Sequence, residues 1–226
     1  MIQAKPQIWA DIIFRRYIFG LMKRSFSRIV LSGPKPRLPS DVPVVLLPNH
    51  SSWWDGFLVY LLNKRVFHRP DFLMMLEEQL QHYSFFRRLG AYSIDPGKPK
   101  SVAESLHYTR NLLSERNALV TIFPQGELRP WHQRPLGYRR LPEWLAKKSD
   151  RPLIFLPLAM RLEFREQRKP VALLKLGELR LVTASHFPKT LELEEEMTVL
   201  LDQMLQLPEN PQSRVLLKGY RGFSDR

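Results

Sequence analysis

The chain has 226 residues and no cysteine. That excludes disulfides, thiolate metal sites and a cysteine nucleophile, and it suits a reducing compartment. Long apolar runs are also missing. The longest, "VPVVLLP" and "LIFLPLAM", fall far short of the roughly 20 residues that a membrane-spanning helix needs. At the N-terminus, Asp11, Arg15 and Arg16 interrupt the apolar stretch, which argues against a secretory signal. No H-E-x-x-H, P-loop or glycine-rich dinucleotide pattern occurs, so metal and nucleotide chemistry have no support. There is no G-x-S-x-G nucleophile elbow, no internal repeat and no low-complexity segment. The expectation is a cytoplasmic protein, soluble or peripheral on the inner face of a membrane.

The net charge is +13. Such an excess implies an acidic partner: nucleic acid, an anionic membrane, or a phosphorylated or acidic substrate. Two segments hold most of it. Residues 1–40 carry eight Lys and Arg against Asp11 alone, and residues 129–151 carry seven against Glu143 and Asp150. Hydrophobic content of 44% and charged content of 25% are ordinary for a globular chain, and the length suits one domain with a real core.

Residues 8–30 make a poor single amphipathic helix, because their charges spread around the wheel; split at Gly20 they improve. Two short helices are therefore expected, with Trp9, Ile13, Phe14 and Tyr17 on one apolar side and Met22, Phe26 and Ile29 on the other. Basic residues beside Trp and Phe suggest a membrane-interfacial segment at 1–31; packing on the domain is the other reading. Residues 32–43, "SGPKPRLPSDVP", form a Pro-rich linker to a domain at 44–226. There strands (44–47, 72–76, 91–95, 118–123, 153–160, 171–176, 179–183) interleave with helices (53–63, 77–89, 101–115, 141–148, 193–206). Ser101 and Glu104 have capping-box spacing. The alternation predicts an α/β single domain with a largely parallel central sheet flanked by helices, and antiparallel neighbours among the later strands.

One stretch concentrates chemistry: "VVLLPNHSSWWDGF", residues 44–57. An apolar strand closed by Pro48 runs through His50 into Ser51 and Ser52, which suit a helix N-cap, and then into a helix. The histidine falls in the strand-to-helix turn, where open α/β sheets place their sites. Of the six histidines only His50 has Asp five residues on. Asp55 can accept from one ring nitrogen, fix the tautomer and stabilise the imidazolium, leaving the other nitrogen as a general base. The alternative is a loop histidine beside an acid that merely charges the helix start. Trp53 and Trp54 read as helix–core packing in preference to a lining for an acyl chain.

"NHSSWWD" resembles the NHx[ST]xxD signature of the glycerolipid (lysophospholipid) acyltransferase superfamily. "LGAYSID" (89–95), "IFPQGELRP" (122–130) and "IFLPLAM" (154–160) are similar to that family's second, third and fourth blocks, in its order. The resemblance implies O-acyl transfer from a thioester, acyl-CoA or acyl-ACP, to a hydroxyl of a lipid acceptor. His50 is then the general base, Asp55 its orienting partner, and no acyl-enzyme forms. Gln125, Gly126, Glu127 and Arg129 are implied to bind substrate. No cofactor or metal is expected beyond the co-substrate thioester. The implied partners are the lipid acceptor, a membrane surface and acyl carrier protein, with no nucleic acid.

The blocks depart from the family's pattern around the acceptor. Pro96 stands at the usual Arg of the second block, with Arg87, Arg88, Lys98 and Lys100 nearby. Gln125 replaces the usual Glu of the third, Glu127 follows two residues later, and Arg129 is displaced by one. A carboxylate would repel a phosphate, so a glycolipid or other lipid alcohol is expected in preference to lysophosphatidate. The alternative is a basic nucleic-acid- or lipid-binding module without catalysis.

Overall fold

A strand of Val and Leu is worth most to a fold when both its faces are covered. Val44–Pro48 (β2) is buried along its whole length. Val44 and Leu46 enter one apolar cluster, and Val45 and Leu47 enter another on the opposite face. The computed structural model describes residues 1–34, 36–164, 167–205 and 213–220.

Eight further strands join β2 among the described residues: β1 (Arg28–Ser32), β3 (Asp71–Leu76), β4 (Ala91–Ile94), β5 (Leu119–Thr121), β6 (Leu153–Glu163), β7 (Val171–Leu176), β8 (Arg180–Val182) and β9 (Arg214–Lys218). Their order is β4-β3-β5-β2-β6-β7-β1-β9, and β8 pairs with the start of β6. β2 to β6 run parallel, whereas β6–β7, β6–β8 and β1–β9 are antiparallel. Among the described residues six α-helices pack around this sheet: α1 (Ile8–Ser25), α2 (Asp55–Leu62), α3 (Glu77–His82), α4 (Pro99–Leu112), α5 (Leu141–Lys147) and α6 (Thr190–Gln203). The chain is thus an α/β single domain with a mostly parallel central sheet.

Proline inside β6 looks costly, because it removes a ladder donor. Pro157 stands where β6 changes partners along one edge, after β8 pairs with Leu153–Phe155 and before β7 takes over at Leu158. The missing N–H falls in that gap.

Three expectations need correction. The N-terminal segment is not two helices: α1 runs unbroken from Ile8 to Ser25, because Ala10, Phe14, Ile18 and Met22 form one buried stripe at a spacing of four. Gly20 lies inside it without breaking it. The expected boundary at residue 31 falls within β1, which pairs in parallel with β7, so residues 28–31 belong to the sheet. Finally, Ser101 does not cap α4. That helix starts at Pro99, whose fixed φ suits the first turn, and the Ser101 hydroxyl accepts from the Asp95 N–H.

The span expected as one helix at 77–89 divides into α3 and a 3₁₀ segment, Ser84–Leu89. The helix expected at 193–206 starts three residues earlier, and its residue 206 lies outside the described residues, as does residue 35 of the linker.

Candidate active site

β2 ends inside the sheet, and the chain turns there through Asn49 and His50. Asn49 is buried and grips β6 at both ends of its amide: its nitrogen donates to the Met160 carbonyl at 3.0 Å, and the Met160 N–H donates to its oxygen at 2.6 Å. That double bond to a neighbouring strand fixes where the turn leaves the sheet.

The turn folds the chain back on one carboxylate. Asp55 opens α2 and is 1% exposed. Its Oδ2 accepts from the Ser51 N–H at 2.6 Å and the Ser52 N–H at 2.9 Å, and lies 3.0 Å from His50 Nδ1. Its Oδ1 accepts from the Ser52 hydroxyl at 2.6 Å. Ser51 and Ser52 therefore serve the carboxylate instead of capping the helix directly. With a carboxylate facing Nδ1, the proton resides on that nitrogen and Nε2 holds the lone pair. The imidazole stacks on Phe123 with ring centroids 4.1 Å apart. It is one quarter exposed and lines a cleft of about 750 Å³.

The loop after β5 completes the frame. Gln125 is 1% exposed, and its side-chain oxygen accepts from the His50 N–H at 2.5 Å. The Arg129 N–H donates to the His50 carbonyl at 2.9 Å. Both backbone groups of the histidine are thus tied to one distant loop. Gly126 has φ +71, and a Cβ there would stand 2.8 Å from Arg139 Nε. Any other residue would strain this turn and push this arginine aside.

The substrate-binding set expected at 125–129 falls into different tasks. Gln125 holds the histidine backbone. Gly126 and Glu127 line the cleft. Arg129 turns Nε and Nη2 onto Glu127 Oε1, at 2.9 and 2.5 Å, and its guanidinium lies against Gly137. This pairing pulls the Glu127 carboxyl below its ordinary value, so it stays ionised with Arg129 offsetting part of its charge. The arginines that reach the cleft are Arg139 and Arg140.

Three of the four basic residues considered as substitutes at the second block are engaged elsewhere, and Lys100 is exposed. Arg87 donates to the Gln3 carbonyl, Arg88 lies over the Trp9 ring, and Lys98 pairs with Asp95. The two tryptophans also separate. Trp54 packs edge-on against buried Phe26, whereas Trp53 is 60% exposed and lines the cleft.

The cleft spans both faces of the sheet. One arm runs between α2 and β3, along Gly56, Leu73, Phe57 and Phe86, to Tyr60 and Asp71. The other opens past Pro124, Gly126, Glu127, Arg139 and Arg140. His50 lies where they meet. Reading the sequence missed Asp71, Arg139 and Arg140. A lone acid opening the apolar strand "DFLMML" was the available signal for the first; for the two arginines there was only local charge.

A base oriented by a buried carboxylate, between an apolar arm and a cationic one, suits transfer chemistry on an amphiphile. The family comparison agrees: a model described as Acyltransferase matches residues 29–143. The chain belongs to that family, the glycerolipid acyltransferases, and transfers acyl groups to lipid. The match takes in β1, the histidine turn and the loop after β5. The comparison with curated proteins found no match.

Proposed function

We propose that the chain moves a fatty acyl group from a thioester, acyl-CoA or acyl-ACP, to a hydroxyl of a lipid acceptor at a membrane surface. The observation that carries this reading is the His50–Asp55 pair, at 3.0 Å, where the two arms meet. Nε2 of His50 takes the acceptor hydroxyl proton as its oxygen attacks the thioester carbonyl. Asp55 offsets the charge that the imidazole gains, and general-base help of this kind contributes about 10²–10⁴-fold. The tetrahedral intermediate collapses by breaking the C–S bond. The departing thiolate takes the proton back from the imidazolium, so the enzyme returns unchanged and no acyl-enzyme forms.

The apolar arm suits the acyl chain and the other arm the acceptor head. Arg129 offsets the Glu127 charge, which weakens the repulsion expected for a phosphate. Arg139 beside the Gly126 turn supports an anionic head group, which reverses the preference for a glycolipid that the sequence suggested.

Membrane attachment draws its support from α1. Ile8, Trp9, Ile12, Ile13 and Tyr17 are exposed beside exposed Arg15 and Arg16. No described helix is long and apolar enough to cross a membrane, so this attachment is peripheral.

The test is thioester consumption with lysophosphatidate and a glycolipid acceptor side by side, for the wild type and His50→Ala. Transfer by the wild type, lost in the folded variant, is the expected result. Near-normal turnover by His50→Ala would end the reading.

A further inference from the structure

The apolar arm ends on charged and polar groups, an odd terminus for a hydrocarbon site. We propose that Asp71 sets the length of the acyl chain this enzyme transfers, by closing the far end of that arm. The inference rests on the acyl-transfer reading above.

Parallel register sets Asp71 and Val44 at the same level, since both pair with Leu119. Val44 opens β2 and His50 follows its end, so Asp71 and the base lie at opposite ends of the strands. Side chains alternate along β3, so Asp71, Leu73 and Met75 share one face. α2 returns antiparallel over that face. Gly56 meets Leu73, where an added Cβ would stand 3.7 Å from the leucine methyl, and Tyr60, one turn further along α2, lines the same cleft as Asp71.

The six residues of β3, Asp71–Leu76, set the depth of the arm at about 17 Å, at about 3.3 Å per residue. With C–C bonds of about 1.5 Å, an extended chain advances about 1.3 Å per carbon and fits about 13 methylenes in that depth.

Tyr60 and Asp71 line that end of the cleft, and neighbouring groups hold them from behind. The Tyr60 hydroxyl donates to Asp11 Oδ1 at 2.7 Å, and Lys64 Nζ pairs with the same oxygen at 2.8 Å. The Asn63 amide spans Arg69, accepting from the Arg69 N–H and donating to the Arg69 carbonyl, and so fixes the turn that leads into β3. Asp71 itself is reached from the cleft, and enclosure there pushes its carboxyl up to about 7. A chain that stops short of it gains burial with every methylene. A longer one must press its methyl end onto a polar group and strip that group's partners.

The experiment is kcat/KM against a series of saturated acyl thioesters from decanoyl to arachidoyl, with one acceptor, for the wild type, Asp71→Asn and Asp71→Ala. The wild-type profile should fall beyond the chain that fills the arm. Asp71→Asn preserves the wall's volume and should leave the optimum within one step of the wild type. Asp71→Ala removes about 2.5 Å of wall and should move the optimum up by about two carbons. Preference for that longer chain should rise about tenfold, the burial of two methylenes.

An unchanged profile in folded Asp71→Ala, or undiminished wild-type turnover through arachidoyl, would overturn the inference and leave the acyltransferase reading standing. Absence of transfer by the wild type with every donor would bring down both. Should Asp71→Ala not fold, the fall-off in the wild-type profile decides alone. A merely structural role for Asp71 would change the unfolding midpoint without moving the chain-length optimum.

Discussion

Replacing Asp55 by asparagine separates charge from geometry at the base. Three donors converge on Oδ2 (the Ser51 and Ser52 N–H groups and His50 Nδ1), whereas Oδ1 faces only the Ser52 hydroxyl. An amide therefore settles with its oxygen in the Oδ2 position and its NH₂ toward Ser52, whose hydroxyl turns to accept. The tautomer survives and the negative charge does not.

At 3.0 Å and an effective dielectric of about 20, that charge stabilises a full imidazolium by about 5 kcal/mol. Only part of this applies in the transition state, where proton transfer is incomplete and solvent reaches one side of the ring. Asp55→Asn should therefore lose about 10²–10³-fold in kcat, with the KM for thioester little changed. Asp55→Ala adds a structural penalty, because two N–H groups lose their acceptor at about 1–3 kcal/mol each. Steady-state thioester consumption together with denaturant midpoints would distinguish the two variants. The reasoning fails if Asp55→Asn keeps kcat within fivefold of the wild type. It fails equally if that variant's loss of activity comes with a drop in stability like that of Asp55→Ala.

Two further outcomes follow from the surface and the acceptor arm. Trp9→Ser with Ile13→Ser should weaken sedimentation with anionic vesicles several-fold while leaving the unfolding midpoint nearly unchanged, since both side chains are exposed; unchanged binding would refute α1 as the attachment face. Arg139→Ala should raise the KM for a phosphorylated acceptor about tenfold or more and change that for a neutral one little; equal effects on both would remove the anionic-head assignment.

Local signals in the sequence carried furthest. β2 was legible because four apolar residues closed by proline mean a strand covered on both sides, and the His50–Asp55 pair because its partners lie five residues apart. β1 was not: "RIVLS" continues the apolar spacing of α1, and it becomes a strand only by pairing with Val171–Leu176, far along the chain. β9 was missed because its partner is that same hidden strand. Gln125 shows the limit for the site. Its neighbours suggest an acceptor-binding loop, yet its side chain is spent on the His50 backbone across 75 positions. The Glu127–Arg129 pair had a readable trace, since opposite charges two apart in an extended loop lie on one side.

Gln125 and Arg129 hold His50 from both backbone sides, and Asn49 ties the same turn to Met160 across 111 positions. The base is thus assembled from three separate stretches of chain, and its position is a property of their closure. A partial opening that lifts only the loop after β5 would release the histidine backbone while β2, β6 and their cores stay paired. Local openings of this kind cost less than global unfolding, so heat or mild denaturant would extinguish turnover before the sheet melts. Activity therefore measures the seating of one loop, and circular dichroism of the whole chain would not see it leave.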